Sequence, residues 1–483
     1  MKLFNPILII RMLGTILFVE TGTFLLCLPV VYIYHEPAAP FIFSALITLA
    51  VSTLFSVISE KKKESSSRLS NRDAYIVVSF AWVLFLLAGT LPYLLSGTIR
   101  SFTDAFFESS SGFTTTGSTI IPDLNLVSHS ILFWRSLTHW IGGIGIIALV
   151  IIILPSLRIT GYQLFTLESS LNEKIHPKTQ AIGIRILIIY LGLTISEIVL
   201  LSIGDMDLFE SVCYSFGTVA TGGFGLRNDS MVSFSPYSQY VVMIFMFFAG
   251  ISQVVYYYIL KFNFSKVRQN EELWLYIIVI LIAGTLASSI LLTETTLTPE
   301  EASRHGFFNI ISVITTTGFV SADYLLWPGP AVLLIFLLMF SGASTGSTTG
   351  NIKIARHLIV IKSIKAAFTR LSHPNALANV RLNGRLVADK TCVAVISFLV
   401  LYLFIFMTGT VVIVSTGSDA VTAASSVAAS LGNIGPGLGM AGPMNHYAHF
   451  PESAKLIFSM LMIVGRMEII TILTLFTRSF WKL

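Results

Sequence analysis

Four short segments rich in threonine and glycine interrupt the hydrophobic stretches of this chain. They read TTTGS at 114–118, ATGGF at 220–224, TTTGF at 315–319 and NIGPG at 433–437, and they recur at intervals of roughly 100 residues. A filter that strips water from an ion needs a ring of backbone carbonyl groups, and glycine allows the backbone to aim them inward. The pattern therefore predicts an ion pore built from a single polypeptide.

A short helix is predicted directly before each of these segments. The four predicted helices cover residues 104–113, 207–218, 299–314 and 419–430. Each opens with a capping side chain or with proline in the first turn, and each is too short to cross a bilayer. We therefore expect re-entrant pore helices whose C-terminal ends, with their partial negative charge, point at the ion path.

The composition agrees with a membrane location. Hydrophobic residues make up 54% of the 483 positions and charged residues only 11%, whereas soluble domains carry roughly 25% charged residues. The three cysteines, Cys27, Cys213 and Cys392, lie in separate apolar contexts without metal-type spacing, so we expect packing roles for them. The first apolar stretch is longer than the core of a secretory signal and is predicted to remain as a spanning helix.

Ten spanning segments are predicted from the apolar runs. They are 6–32, 39–58, 74–96, 128–155, 181–203, 236–260, 273–293, 329–360, 390–415 and 454–477. Lysine and arginine concentrate in alternate connections, at 61–72, 156–178, 261–268 and 353–390, and in the C-terminal tail. The positive-inside rule then places both termini in the cytosol. Acidic residues dominate the opposite connections, either as a by-product of that bias or as a vestibule that concentrates cations.

The predicted fold is an all-α polytopic membrane protein with pseudo-fourfold symmetry. Its unit is helix, pore helix, filter and helix, repeated four times around one central pore behind two extra N-terminal transmembrane helices. The predicted boundaries are 1–73 for the extra helices and 74–160, 180–262, 272–365 and 389–483 for the four repeats. The alternative is four unrelated Thr/Gly loops in a transporter of another fold.

Several longer motifs identify a family. They are FFE at 106–108, GFTTTG at 112–117, WIGGIG at 140–145, HPNA at 373–376, NIGPGLG at 433–439 and GRME at 465–468. With these motifs the chain resembles, along nearly its whole length, the ion-conducting subunits of bacterial Trk-type potassium uptake systems in the Trk/Ktr/HKT superfamily. The two extra N-terminal helices are similar to those of the TrkH and TrkG type. Departures are small and fall at Ser118, Ala220 and Thr221.

The resemblance implies a potassium site in the main chain just before and at each filter glycine. The implied residues are Thr115, Thr116 and Gly117; Thr221, Gly222 and Gly223; Thr316, Thr317 and Gly318; and Asn433, Ile434 and Gly435. In plant relatives, serine at the first glycine position accompanies a preference for sodium, so four glycines favour potassium. Because the segments are shorter and less alike than those of true potassium channels, we expect looser selectivity.

Two features predict a gate below the filter. The eighth span is interrupted by SGASTGSTTG at 341–350, shortly before Lys353, and the resemblance implies a loop in the conduction path there. The spacing of Gly342, Gly346 and Gly350 also fits close helix packing. The second feature is Arg466 in the last span, where an unpaired charge is costly. It acts either as a positive barrier, as the family implies, or as a partner of Glu468 or Glu197.

The sequence favours a transport protein over an enzyme. It has no paired-histidine metal motif, nucleophile elbow, transmembrane aspartate pair or phosphate-binding loop. We expect no covalently bound cofactor, with K⁺ as the transported ion. A symporter that couples potassium to sodium or protons would use the same filter, but its common forms carry inverted repeats.

Partners and location are implied by the resemblance. They are a homodimer in the cell inner membrane and a cytosolic nucleotide-binding regulatory subunit. The basic connections would receive that subunit, or they serve only to set the topology.

Overall fold

The chain folds almost entirely as helices. The computed structural model describes residues 5–60, 71–148, 179–375 and 378–481. Within these ranges the only strands form a two-stranded antiparallel hairpin, in which Arg381–Leu382 (β1) pairs with Arg385–Leu386 (β2). The predicted all-α fold is confirmed.

The N-terminal region forms a hairpin of two long apolar helices. Its helices are Pro6–Leu25 (α1), Leu28–Ile33 (α2) and Ala39–Glu60 (α3). The hydroxyl groups of Thr21 and Thr48 lie 2.9 Å apart, and the Ser52 hydroxyl donates to the carbonyl oxygen of Gly14 at 2.8 Å. Small and hydroxyl-bearing residues thus let α1 and α3 approach closely, as is common between helices in membranes.

The remaining helices follow the predicted fourfold order. The first repeat consists of Asn71–Gly89 (α4), Leu91–Leu95 (α5), Phe102–Phe113 (α6) and His129–Ala148 (α7). The second repeat consists of Thr179–Ile203 (α8), Leu208–Val219 (α9), Pro236–Ala249 (α10) and Gln253–Leu260 (α11), and the short helix Phe264–Arg268 (α12) follows it. The third repeat consists of Glu271–Glu294 (α13), Pro299–Ile314 (α14), Gly329–Leu338 (α15) and Ile354–Ser372 (α16). The fourth repeat consists of Asp389–Ser415 (α17), Ala420–Gly432 (α18), Glu452–Arg466 (α19), Ile469–Leu475 (α20) and Arg478–Trp481 (α21).

The four short helices α6, α9, α14 and α18 match the predicted pore helices to within two residues. Local capping accounts for the starts of three of them, whereas at α6 the residue before the helix, Ser101, makes no side-chain capping bond, contrary to the sequence expectation. Asp207 and Glu210 form a reciprocal capping box at α9, Thr298 and Glu301 form another at α14, and the Asp419 side chain accepts from the main chain at the start of α18. Each helix ends directly before its Thr/Gly segment. We call α6, α9, α14 and α18 the pore helices below.

Successive repeats pack in chain order. The helix that follows the filter packs against the pore helix of the next repeat in three cases, α7 on α9, α10 on α14, and α19 on α6. The last of these contacts joins the fourth repeat to the first. The repeats therefore close into a ring instead of extending as a line.

The predicted spans coincide with helices, but three of them are not straight. Six helical segments of the described chain are long and apolar enough to cross a membrane. Two further spans are bent pairs, α10 with α11 at 95° and α19 with α20 at 107°. The predicted span 329–360 is two helices, because α15 ends at Leu338 and α16 starts at Ile354. The end of the predicted span 128–155 and most of the connections 61–72 and 156–178 lie outside the described residues.

Candidate ion-conduction site

The four Thr/Gly segments adopt one backbone conformation. In each, two residues separated by one position have positive φ angles, and the second of them is always glycine. The pairs, with their φ angles, are Thr115 and Gly117 (51° and 88°), Thr221 and Gly223 (55° and 83°), Thr316 and Gly318 (54° and 83°), and Asn433 and Gly435 (54° and 106°). Threonine rarely adopts this region because its branched side chain crowds the backbone. Three strained threonines at equivalent positions indicate a conformation imposed by the surrounding fold.

The segments contact one another in a closed cycle. A β-carbon placed on Gly117 would lie 2.3 Å from the carbonyl oxygen of Gly222 in the second segment. A β-carbon on Gly223 would likewise lie 1.9 Å from the carbonyl oxygen of Thr317, and one on Gly318 would lie 2.1 Å from that of Ile434. A β-carbon on Gly435 would lie 2.7 Å from the carbonyl oxygen of Thr116. Each filter glycine therefore leaves room for a main-chain oxygen of the next repeat. The fourth segment returns to the first, so the four segments form one ring.

All the predicted filter residues lie in this ring. We call the glycine side of the ring its mouth end, and the side of Thr115, Thr221, Thr316 and Asn433, next to the pore helices, its deep end. Threonine hydroxyl groups brace the deep part: Thr114 pairs with Thr116 at 2.8 Å and Thr315 with Thr317 at 2.9 Å. The ring thus has its main chain fixed by side chains behind it.

A buried histidine supports the second segment, although its sequence context predicts no specific role. His139 Nε2 accepts a hydrogen bond from the main-chain N–H of Phe224 at 3.1 Å, so Nδ1 carries the proton and donates to the carbonyl oxygen of Gly112 at 2.6 Å. A β-carbon on Gly222 would lie 2.4 Å from the imidazole ring. A neutral imidazole therefore links the end of the first pore helix to the second filter segment.

A buried ion pair lies next to the second filter segment as well. Arg135 Nε donates to Glu108 Oε1 at 2.8 Å, and both side chains are buried. Glu108 also accepts from the main-chain N–H of Ile120 at 2.9 Å, and Arg135 donates to the carbonyl oxygen of Gly225 at 3.2 Å. The pair joins the first pore helix, helix α7 and the exit of the second filter segment. The motif at 106–108 contained Glu108, but nothing in the sequence pointed to Arg135 as its partner.

The mouth end is not fully symmetric. The Ser118 hydroxyl donates to the carbonyl oxygen of Gly435 at 2.9 Å, and the Tyr447 hydroxyl donates to the same oxygen at 3.2 Å. Residues from all four segments line the vestibule above the ring. The departure at Ser118 noted in the sequence thus places a hydroxyl donor on the fourth filter segment.

The interrupted span runs directly under the deep end. The Gly350 N–H donates to the Thr316 hydroxyl at 2.8 Å, and the Thr348 hydroxyl donates to the carbonyl oxygen of Val219 at 3.1 Å. A β-carbon on Gly350 would lie 2.5 Å from the carbonyl oxygen of Gly432. The loop 341–350 therefore contacts the second, third and fourth repeats at the filter. We refer to residues 341–350 below as the gating loop, after the role that the sequence predicts for them.

The predicted gating residues meet at this loop. Arg466 is buried and donates to the carbonyl oxygen of Thr348 at 2.8 Å and to that of Gly142 at 3.3 Å. Lys353 donates to the main-chain oxygen and to the hydroxyl of Thr349. Two cationic side chains thus hold the far end of the loop.

Arg466 does not form the ion pair with Glu468 that the sequence allowed. Glu468 instead binds Arg356, in the first turn of α16, at 2.7 Å. The reason is local. Glu468 has a positive φ of 62°, where the last span bends by 107°, so its side chain leaves the face that carries Arg466. The Arg356 guanidinium also stacks 3.9 Å over the ring of Phe398.

The remaining predicted gating residues shape the loop backbone. Gly342 N–H donates to the carbonyl oxygen of Ile352 at 2.8 Å, which closes the loop at its base. Gly346 has a φ of 79° and its carbonyl oxygen accepts from Gln253 at 3.4 Å. The glycines therefore serve the loop conformation, and the alternative of a continuous helix packed through them is wrong.

Comparison with known proteins shows which family this chain belongs to. A family described as TrkH, cation transport protein, matches residues 42–483. The chain belongs to this family. A Trk system potassium uptake protein TrkH from Salmonella typhimurium is 32% identical, with 98% of this chain and 99% of the relative covered. The TrkI protein of Halomonas elongata, also named for Trk system potassium uptake, is 32% identical over 94% of this chain and 92% of its own length.

A solved structure agrees with the fold. The crystal structure of the potassium transporter TrkH from Vibrio parahaemolyticus matches with a TM-score of 0.89 and 30% identity, and covers 98% of this chain and 99% of that one. This TrkH-family chain is therefore a multi-pass membrane transport protein and not an enzyme, as its sequence predicted.

Proposed function

We propose that this TrkH-family chain takes up potassium across the cell membrane through the ring of four Thr/Gly segments. The observation that carries the proposal is the closed cycle in which each filter glycine faces a main-chain oxygen of the next repeat. Relatives that cover nearly the whole chain are named as potassium uptake proteins. The two lines of support are independent, since one is geometric and the other comes from sequence identity.

The proposed ligands are main-chain oxygens. A dehydrating K⁺ exchanges its water for the oxygens of Thr115 and Thr116, Thr221 and Gly222, Thr316 and Thr317, and Asn433 and Ile434. The four pore helices end at the deep end of the ring, and the partial negative charge of their C-termini favours a cation there. Carbonyl rings of this kind conduct when binding is strong enough for entry and weak enough for exit.

The gating loop and Arg466 close this path in the proposed mechanism. The loop lies across the deep end, and the Arg466 guanidinium adds a positive charge beside it, where a narrow, water-poor passage screens charge weakly. Conduction then requires the loop and Arg466 to move together, because Arg466 holds Thr348. We place both termini and the gate side in the cytosol, and assign control of the gate to a nucleotide-binding regulatory subunit acting on a homodimer in the inner membrane.

The first test is uptake by cells. A strain without its own potassium transporters, supplied with this chain and its regulatory subunit, should regain growth at submillimolar potassium and take up rubidium, with sodium well behind. Gly417→Ala is a matched control, because Gly417 also has a positive φ, of 100°, but nothing within 4 Å. Failure of the wild-type chain to restore growth, with the protein confirmed in the membrane, would contradict the proposal.

Coupling is tested separately. Reversal potentials measured under varied sodium and proton gradients should follow the potassium gradient alone. A shift with either of the other gradients would replace the channel-like path by symport through the same ring.

A further inference from the structure

One buried carboxylate holds the gating loop and the helix that follows it. Glu272 lies in the first turn of α13 and its side chain is fully buried. Its Oε1 accepts hydrogen bonds from the Thr345 main-chain N–H at 2.6 Å, from the Thr345 hydroxyl at 3.1 Å and from the Ala355 N–H at 3.1 Å. Thr345 is in the gating loop, and Ala355 is in the first turn of α16. A single oxygen atom therefore joins the two elements.

The surroundings of this oxygen suit a negative charge. The three groups of the described chain that bind Oε1 are hydrogen-bond donors, which suits a carboxylate oxygen as their acceptor. The N-terminal ends of α13 and α16 both lie at the carboxylate, since Glu272 and Ala355 belong to their first turns. The partial positive charge of helix N-termini stabilises an anion there. The fold thus places a buried acceptor oxygen where it contacts the gating loop.

The position of Thr345 makes this contact relevant to gating. Thr345 precedes by a few residues the part of the loop that contacts the filter, through Thr348 and Gly350. The loop cannot leave the deep end of the ring without moving relative to α13, and Glu272 is on α13. Its bonds to Thr345 therefore oppose opening, whereas its bond to Ala355 links the same oxygen to α16.

We propose that Glu272 is a positioning residue that keeps the gating loop under the filter and passes movement of α16 to that loop. The proposal rests on the proposed role of residues 341–350 as the gate. Helix α16 starts the basic connection 353–390, so a protein bound to that connection would act on the gate through this carboxylate. The first turn of α16 is also tied to the bend in the last span, because Arg356 binds Glu468. A shift of α16 therefore acts on the loop through Glu272, and it also acts on the bend in the last span, directly after Arg466.

The test is tracer flux of rubidium into liposomes that contain the purified full chain without any partner. Glu272→Ala should raise basal flux at least about tenfold, because it removes three buried hydrogen bonds that hold the loop and α16. Glu272→Gln keeps an acceptor oxygen and should stay within about threefold of wild type. The ratio of potassium to sodium flux should not change, since Glu272 does not contact the ring. Glu271→Ala is the matched control: Glu271 is the neighbouring residue and binds Lys362 near the surface.

A second variant covers the case in which Glu272→Ala does not fold. Thr345→Val is nearly isosteric and removes only the hydroxyl bond, so flux should rise about three- to tenfold. If Arg466→Ala raises flux while every folded variant at Glu272 and Thr345 leaves it unchanged, the role of Glu272 is refuted and the gate stands. If deletion of the loop and Arg466→Ala also leave flux unchanged, the gate itself is refuted. A loss of ion selectivity in Glu272→Ala would place its effect in the filter and overturn the proposal.

Discussion

The filter ring and the gating loop lie in contact but are built on different principles. The ring uses the same backbone four times, with a residue of positive φ, one residue outside that region and a glycine of positive φ. The loop occurs once, in the third repeat. It is held by Glu272 of α13, by Arg466 of α19 and by Lys353, which directly precedes α16. Main-chain repetition fixes the ring, whereas a few charged contacts fix the loop.

This difference separates an element constrained by its repeated backbone from one held by side chains of other elements. Every filter glycine faces a backbone oxygen at less than van der Waals distance from a hypothetical β-carbon, so the ring cannot change without moving all four repeats. The loop is held by a small number of side-chain hydrogen bonds, each worth about 1.5–3 kcal/mol when a charged group takes part. This contrast supports the proposed division of roles, with ion selection in the ring and gating by the loop.

The largest effects are expected at the filter glycines. Gly223→Ala should abolish potassium uptake, because its β-carbon would lie 1.9 Å from the Thr317 oxygen, while Gly435→Ala, at 2.7 Å from the Thr116 oxygen, should keep more activity. Gly117→Ser should reduce discrimination between potassium and sodium with expression intact. Rubidium and sodium uptake in the transporter-deficient strain measures all three. Equal activity of Gly223→Ala and the Gly417→Ala control would show that the ring does not constrain conduction.

The next largest effect is expected from the pair that braces the ring. Arg135→Met leaves Glu108 buried without its cationic partner, and such a loss costs about 3–5 kcal/mol. The double variant Arg135→Met with Glu108→Gln should recover much of that stability, because no uncompensated charge remains. Thermal unfolding in detergent, followed by size-exclusion chromatography, measures both. A double variant no more stable than Arg135→Met alone would mean that the pair contributes packing and not charge compensation.

Gate variants should have intermediate effects and act in the opposite direction. Arg466→Ala removes two hydrogen bonds and a positive charge, and deletion of 341–350 removes the obstruction, so each should raise basal flux in liposomes, by about tenfold or more for Arg466→Ala. The two changes act on one constriction and should be less than additive. The bond from Arg466 to Gly142 ends on the main-chain oxygen, so a substitution of Gly142 would not remove it. Reduced flux in both folded variants would make Arg466 a structural support.

The smallest effect is expected at the mouth end, where the fourfold pattern is broken. Ser118→Ala removes one of two hydroxyl donors to the Gly435 oxygen, a neutral bond worth about 0.5–1.5 kcal/mol. The freed carbonyl should reorient more easily, and potassium over sodium discrimination should fall about two- to tenfold, further with Tyr447→Phe added. Ser118→Thr keeps the hydroxyl and should behave as wild type. Discrimination unchanged in the double variant would show that the orientation of the Gly435 carbonyl group does not affect ion selection.

The sequence predicted the pore helices and filter segments better than the side-chain contacts that hold the ring and the gating loop. Local signals were sufficient for the pore helices, because capping residues such as Asp207 and Thr298 mark their starts and a glycine marks each filter. The contacts of His139, Arg135 and Glu272 join residues far apart in the chain, and a single sequence carries no signal for such pairs. The break after Leu338 was visible as a run of small and hydroxyl residues, but the contacts of its loop were not. The 107° bend at Glu468 was missed for the same reason, since nothing local required a positive φ there.

Ion binding in the ring is tested most directly by crystals of the full chain grown with rubidium and measured near the rubidium absorption edge. The account predicts an anomalous peak on the axis of the ring, surrounded by the main-chain oxygens of Thr116, Gly222, Thr317 and Ile434. The peak should weaken when potassium is added in excess and persist when sodium replaces potassium. A peak elsewhere in the chain with none in the ring, or a ring peak displaced by sodium as readily as by potassium, would contradict it.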